Sequence, residues 1–309
     1  MMISGAQAQA QAPTPGSPRR MLTRYRDAIA GYAFLAPFLG FYTVFLLYPF
    51  ALGLWMSLHD WEIVGDYREY LGWANYQELW EDTYFWEVLR NTLKFAAITA
   101  PAATVLGLVL ALALNRPLRI YGALRATFFA SNIFAVTVVT LIWTMVLQPE
   151  NGLVANALRS LGMEPIAFLT EPGWALAALV VTTLWWSAGF PMALFLAGLQ
   201  QIPPEIYEAA KLDNASRWTV LWRITLPSLK RTLLLVVVLQ TVGQLQLFGQ
   251  PLLMTRGGPS NSTRPLVQWI YEIGTRDWRS GYASAVAMVL FCMMFFVALL
   301  QLRLARQEE

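Results

Sequence analysis

Long uninterrupted apolar runs are the feature that most limits what this chain can fold into. The sequence is 57% hydrophobic and only 13% charged, so it has too few charged side chains to cover a water-soluble globule of 309 residues. Runs of about 20 apolar residues fit helices that cross a hydrocarbon core about 30 Å thick. The sequence therefore predicts an all-α integral membrane protein.

Six membrane spans are expected, and they run over about 29–57, 88–115, 121–148, 174–199, 232–255 and 282–304. The first run is too long for a signal-peptide core, so we expect it to be retained. Residues 1–28 are predicted to be a disordered, basic tail, and residues 306–309 a short second tail. One transmembrane domain, 29–305, lies between them.

Basic residues between the spans predict the orientation of the chain. The connection over 60–87 carries eight acidic residues and the single base Arg68, so we expect it outside the cell. Basic residues favour a cytoplasmic position for the alternate connections and for both termini; they include Arg116, Arg119, Arg125, Lys211, Arg231, Arg303 and Arg306. The connection over 256–281 runs against this rule with Arg256, Arg264, Arg276 and Arg279.

Several function classes are disfavoured by what the sequence lacks. The spans have no Asp, Glu, Lys or Arg near their middle, which argues against ion-coupled secondary transport. No phosphate-binding loop occurs, so an ATPase would be a separate polypeptide. A net charge of +3 gives no reason to expect nucleic acid, and one His and one Cys give none to expect a metal site. We predict no catalytic residues, no cofactor and no enzyme activity in this chain.

The segment Pro203–Pro227 is a charged interruption between two apolar runs. Prolines favour the start of a helix, and Glu205 and Glu208 suit its first turns because acidic groups oppose the positive end of the helix dipole. Asp213-Asn214 is typical of a turn, and Ser216 is typical of the cap of a second helix. That second helix would pack an apolar face against the ends of the membrane helices with Trp218, Leu221 and Trp222.

This segment closely resembles the cytoplasmic EAA loop of binding-protein-dependent ABC import permeases, on which an ATPase docks. The matching residues are Glu208, Ala209, Ala210, Asp213, Ala215, Ile224, Thr225, Leu226 and Pro227. The family has glycine where Asn214 stands, and asparagine tolerates the same left-handed backbone. The resemblance implies ATPase-coupling residues Glu205, Glu208, Ala209, Ala210, Asp213, Asn214 and Ala215. The alternative is a surface linker without a partner.

Further segments are similar to maltose- and glycerol-phosphate-type permeases: Gly72–Tyr76, Leu196–Gln200 and Thr255–Pro259. The resemblance implies one half of a type I sugar importer in the bacterial inner membrane. It also implies a heterodimer with a second permease, two copies of an ATPase that binds ATP and Mg²⁺, and an extracytoplasmic solute-binding protein. The alternatives are another solute such as glycerol phosphate or an oligosaccharide, an ion-coupled transporter, or a membrane scaffold.

Polar side chains inside spans are the candidates for solute contact, because lipid-facing positions disfavour amides. An amide both donates and accepts hydrogen bonds, as a neutral polyhydroxylated solute requires. The alternative is that these groups only bond neighbouring helices. The candidate residues are Gln240, Gln244, Gln246, Trp186, Ser187 and Asn132. A local helix break is expected at Gly189-Phe190-Pro191.

Overall fold

The computed structural model describes residues 18–62 and 68–306, and most of these are helical. One short antiparallel hairpin pairs β1 (His59–Trp61) with β2 (Arg68–Tyr70). The α-helices are, in chain order, α1 Pro18–Tyr42, α2 Tyr48–Met56, α3 Ala74–Glu81, α4 Thr83–Leu114, α5 Arg119–Ala130, α6 Val136–Val146, α7 Leu153–Ser160, α8 Pro172–Ser187, α9 Gly189–Gln200, α10 Pro204–Leu212, α11 Arg217–Val220, α12 Leu226–Ser228, α13 Lys230–Leu245, α14 Leu266–Thr275 and α15 Ser280–Arg306.

Three helical segments are long and apolar enough to cross a membrane without a sharp bend: Ile29–Met56, Thr83–Leu114 and Ser280–Leu304. Three further apolar segments are pairs of helices bent at a short break. The bend is 102° between Arg119–Ile133 and Val136–Val146, 45° between α8 and α9, and 68° between Arg217–Ser228 and α13. The structure thus breaks the run expected as one span over 121–148, whereas the break expected near Gly189 is confirmed.

Two prolines explain widened turns in the helices. Pro49 and Pro227 carry no N–H group, so each leaves the carbonyl four residues earlier without its usual donor. In both places the residue before the proline bonds five residues back, Tyr48 to Thr43 and Leu226 to Leu221. These π-turns, Thr43–Leu47 and Leu221–Thr225, let the chain pass the proline and remain helical.

The described part of the chain divides into two compact units, one that ends at Trp55 and one that begins at Met56. In the first, Phe38 stacks on Tyr42, with ring centroids 5.9 Å apart. The spacing of these two residues is one helical turn, so their side chains lie along one face of α1.

The second unit is organised around α4, which packs against α8, α9, α13 and α14. Near the start of α4, Phe85 and Val88 join a buried cluster with α14 and α15. Near its end, Ala111 and Leu114 join another cluster that includes Ile202 and Leu229, which flank the loop over 203–227. We call these the hairpin end and the loop end, because the hairpin precedes α4 and the loop helices α10–α12 lie at the other end.

At the hairpin end, α3 is joined to the hairpin and to α15. The Asn75 amide donates to the carbonyl oxygens of Ser57 and His59 at 2.9 and 3.1 Å. Arg279 Nη2 lies 2.6 Å from Glu78 Oε2. This hydrogen bond raises the pKa of Arg279 further above its usual value, so the guanidinium stays charged.

The connection over 256–281, whose four arginines run against the charge rule, contains arginines that are paired with carboxylates. Arg279 is bound to Glu78, and Arg264 lies 3.3 Å from Glu272 while it also donates to the Tyr84 hydroxyl. Two of the four arginines in 256–281 are therefore paired with carboxylates. These two ion pairs join the connection to itself and to α3, and the paired arginines add little to the net positive charge of the connection.

Candidate functional site

The exposed helix α10 forms the first half of the loop. It begins directly after Pro203 with Pro204 in its first turn, and has Glu205 near its start and Lys211 near its end, as the helix dipole favours. Glu205, Glu208 and Ala209 are all exposed. The helix therefore offers two carboxylates and a small side chain to a neighbouring surface.

The turn after α10 has the geometry of a Schellman motif. Asn214 has φ of 50°. Its N–H donates to Lys211 O at 3.1 Å, while the N–H of Ala215 donates to Ala210 O at 2.9 Å. The expectation that asparagine supports a left-handed turn here is confirmed. Asp213 is the last residue before that turn and its side chain is exposed.

The second half of the loop starts with a side-chain cap, as predicted. Ser216 Oγ accepts a hydrogen bond from the Thr219 N–H at 3.1 Å. The Tyr207 hydroxyl lies 3.3 Å from Thr225 Oγ1, within hydrogen-bond distance, and so joins the two halves. The loop is thus held in one shape by local contacts.

One predicted coupling residue of the loop is buried, and one expectation about the loop is wrong. Ala210 is only 6% exposed, so Ala209 but not Ala210 belongs to the open surface. Trp218 and Trp222 are 71% and 64% exposed, so they do not pack against the ends of this chain's own helices. Trp218 lies in α11 and Trp222 in the π-turn that follows, whereas Leu221, the third residue of the predicted apolar face, is half-buried. The loop therefore presents indoles as well as carboxylates.

The bend between α8 and α9 is built around the side chain of Asn132. In an unbroken helix the Phe190 N–H would donate to Trp186 O. Here Asn132, with its amide oriented to satisfy both groups, donates to Trp186 O at 3.2 Å and accepts from Phe190 N at 2.9 Å. A side chain inserted in this way into the helical ladder accounts for the bend.

The same contacts bind this bend to the bend of 102°. Ser131 Oγ donates to Trp186 O at 3.1 Å, and Trp186 Nε1 donates to Phe134 O at 3.1 Å. We call Ser131, Asn132, Phe134, Trp186 and Phe190 the bend junction. Ser187, beside it, donates to Thr183 O at 2.7 Å within its own helix.

A further interruption, over 246–248 after the end of α13, lies near the same region. Helix α13 ends at Leu245, and the chain resumes a helical course at Gly249. A Cβ added to Gly249 would lie 2.6 Å from a methyl carbon of Val136, so the Val136 side chain packs directly on the glycine backbone. Gln250 Nε2 lies 3.5 Å from Thr183 Oγ1, at the limit of a hydrogen bond.

The three candidate glutamines have different surroundings. Gln240 and Gln244 are buried, and Gln244 Nε2 donates to Gln240 Oε1 at 3.2 Å. Gln246 lies just past the end of α13 and is exposed, with one long contact to the sulfur of Met294 at 3.4 Å. All six predicted solute-pathway residues bond within the chain. Gln246 is the exposed one, while Asn132, Trp186, Ser187, Gln240 and Gln244 are buried or half-buried.

The fold and the loop agree with a known family. Residues 103–308 match the family described as the binding-protein-dependent transport system inner membrane component. The chain belongs to this family. The predicted all-α membrane fold of a type I importer permease, with its loop between two spans, is confirmed.

Relatives of this permease cover nearly its whole length. The lactose transport system permease protein LacF of Rhizobium radiobacter is 34% identical over 94% of this chain and 98% of that protein. The sulfoquinovosyl glycerol transport system permease protein SmoG of Agrobacterium fabrum is 33% identical over 92% of each. A chain in the crystal structure of a bacterial ABC transporter involved in alginate import has the same fold, with a TM-score of 0.82, 23% identity, and coverage of 93% and 99%.

Sequence reasoning missed Ser131 as a part of the bend junction of this permease. The available signal was the dipeptide Ser131-Asn132, two polar residues in the middle of an apolar run. Within residues 18–62 and 68–306, no group of three or more His, Cys, Asp or Glu side chains could hold a metal ion.

Proposed function

We propose that this permease is the membrane-spanning half of an ATP-driven sugar importer. The observation that carries the proposal is the exposed, internally braced loop over 203–227 in a chain of the binding-protein-dependent family. The names of its relatives support carbohydrate as the solute, since they include permeases for lactose and for trehalose and maltose. A sugar has many hydroxyl groups, which an exposed amide such as that of Gln246 can bind.

The loop is proposed to be the contact with a separate ATPase. Glu208 is exposed and makes no hydrogen bond or ion pair with the part of the chain that the structure describes, so it is available for a basic group on the partner. Trp218 and Trp222 supply exposed indoles, which are typical of the buried centre of a protein interface. ATP binding would draw two ATPase copies together, and the braced loop would transmit this movement to α9 and α13.

The remaining partners follow from the same proposal. A related second permease would complete the translocation pathway as a heterodimer, and an extracytoplasmic binding protein would deliver the solute to the hairpin end. The loop end and both termini would then face the cytoplasm. The acidic connection at the hairpin end and the basic residues at the loop end support this orientation.

Reconstitution tests this function directly. The permease, its partner permease, the ATPase and the binding protein are incorporated in proteoliposomes, and ATP hydrolysis is measured over a panel of mono- and oligosaccharides. We expect a loaded binding protein to stimulate hydrolysis for at least one sugar and ATP to be required for uptake. Uptake that continues without the ATPase and stops when an ion gradient is removed would overturn the proposal.

A further inference from the structure

We propose that Arg90 and Lys94 bind the phosphate of a membrane lipid at the hairpin end of α4, beside Trp86. These residues follow one another at intervals of four along the helix, so they share one face, and all three are exposed. With a rise of about 1.5 Å per residue, Arg90 lies about 10 Å and Lys94 about 16 Å from the first residue of α4. Both cations thus stand within the outer part of a membrane span.

The two cations lack a counter-charge in the part of the chain that the structure describes. Neither Arg90 nor Lys94 forms an ion pair within residues 18–62 and 68–306. Glu87 lies one turn from Arg90 on the same face but is not within ion-pair distance. The face of α4 that carries Glu87, Arg90 and Lys94 therefore has one net positive charge. A cation within a membrane span has to pair with an anion or extend its side chain to the membrane surface.

A cavity of about 630 Å³ lies beside these side chains, lined by Thr83, Trp86, Glu87, Leu89, Arg90 and Leu93. Its lining combines the guanidinium of Arg90 with a hydroxyl, an indole, two leucines and the carboxylate of Glu87, so a phosphate would have to lie on the side of Arg90 that faces away from Glu87. Next to it, and sharing Leu93, is a second cavity of about 400 Å³ lined mainly by apolar side chains from α4, α13 and α15. A groove that carries one guanidinium and continues into an apolar space fits a headgroup with its acyl chain.

The indoles mark where this site stands relative to the bilayer. Trp80, at 70% exposed, and Trp86 meet edge to face with ring centroids 4.9 Å apart, and Trp86 Nε1 donates to Trp80 O at 3.1 Å. Exposed tryptophans at the end of a span are typical of the headgroup region of a membrane. Lipid phosphate is present at that level, whereas free phosphate would leave the apolar cavity unfilled.

The test uses the intact, lipid-depleted transporter complex in detergent and measures its thermal unfolding midpoint with added lipid. Three probes are compared: dioleoylphosphatidylglycerol, dioleoylglycerol without a phosphate, and sodium phosphate. We expect phosphatidylglycerol to raise the midpoint by more than twice the effect of either other probe. The double variant Arg90→Gln/Lys94→Gln should lose at least half of that rise, and so should Ala97→Phe, which fills the apolar cavity. Arg276→Gln, an exposed arginine away from α4, should keep it.

Three outcomes would overturn the proposal. The first is an unchanged rise in the double variant, and the second is a rise with sodium phosphate alone that equals the rise with the lipid. The third is loss of the second permease from the double variant on size-exclusion chromatography in every lipid, because the cations would then pair with a protein. Since Arg90 and Lys94 are exposed, the substitutions leave the packed core intact.

Discussion

The amide of Asn132 donates to Trp186 O at 3.2 Å, occupying a carbonyl that an unbroken helix would pair with the N–H of Phe190. The polar group that sequence reasoning assigned to solute therefore has a partner on a neighbouring span. A bond of this kind fixes the relative direction of two bent spans, a structural role that needs no contact with a solute.

Asn132→Ala is expected to destabilise the permease and to leave its sugar preference unchanged. The change removes a donor and an acceptor from Trp186 and Phe190, which should lower the free energy of unfolding by about 1–3 kcal/mol. Thermal unfolding in detergent measures the loss, with Asn156→Ala as an exposed control. Unchanged stability together with a shifted sugar concentration for half-maximal ATP hydrolysis would instead indicate solute contact.

Gly189→Ala should disturb the contact between α5 and α9. A Cβ at this position would lie 2.3 Å from the carbonyl oxygen of Phe128, and backbone cannot retreat as a flexible side chain can. We expect a loss of about 1–3 kcal/mol of stability, the usual cost of overpacking. Gly173→Ala is the matched control, because nothing lies within 4 Å of its added carbon. Equal unfolding midpoints for the two variants would contradict the close approach.

The two bends show what an apolar run can and cannot predict. Gly189 and Pro191 signal the break after α8, since each weakens a helix locally. The sequence between Arg125 and Gln148 contains no glycine or proline, yet it bends by 102°. Hydropathy reports how long an apolar segment is, while its direction depends here on contacts of Ser131 and Trp186 with residues more than 50 positions away.

In the loop, features that depend on neighbouring residues were predictable from the sequence, and features that depend on tertiary contacts were not. The turn at Asn214 and the cap at Ser216 depend on residues within a few positions, and both were predicted. The exposure of Trp218 and the burial of Ala210 depend on which parts of the bundle lie nearby. For the same reason the sequence identified glutamines in span five, but it did not distinguish the buried Gln244 from the open Gln246.

Asn214→Gly should be tolerated, whereas Asn214→Val should unfold the turn. The backbone φ of 50° suits glycine, but a β-branched residue there costs about 1–2 kcal/mol. Hydrogen exchange of the Ala215 amide, which is bonded to Ala210, measures the opening. Asn115→Val at the same end, where φ is −78°, should leave this exchange unchanged. Fast exchange in the glycine variant would contradict the assignment of the strain to Asn214.

Glu208→Lys should weaken the ATPase contact without destabilising the permease. Glu208 is exposed, so reversal of its charge affects a partner more than the fold. We expect at least a tenfold loss of affinity for the ATPase, equivalent to about 1.4 kcal/mol, in a pull-down titration. Glu164→Lys, exposed in a different connection, serves as the charge-matched control. Wild-type assembly and transport in Glu208→Lys would rule out this residue as the contact.

Gln246→Leu and Gln244→Leu should affect different measurements. Gln246 is exposed, so its loss should raise the sugar concentration for half-maximal ATP hydrolysis by about fivefold, the equivalent of one hydrogen bond of about 1 kcal/mol. Gln244 is buried against Gln240 at 3.2 Å, so its loss should lower the free energy of unfolding by about 1–2 kcal/mol and leave that sugar concentration unchanged. Because both variants add the same leucine to one segment, a difference between them reports the position of the amide. An unchanged sugar concentration for half-maximal ATP hydrolysis in both variants would mean that neither amide faces the solute.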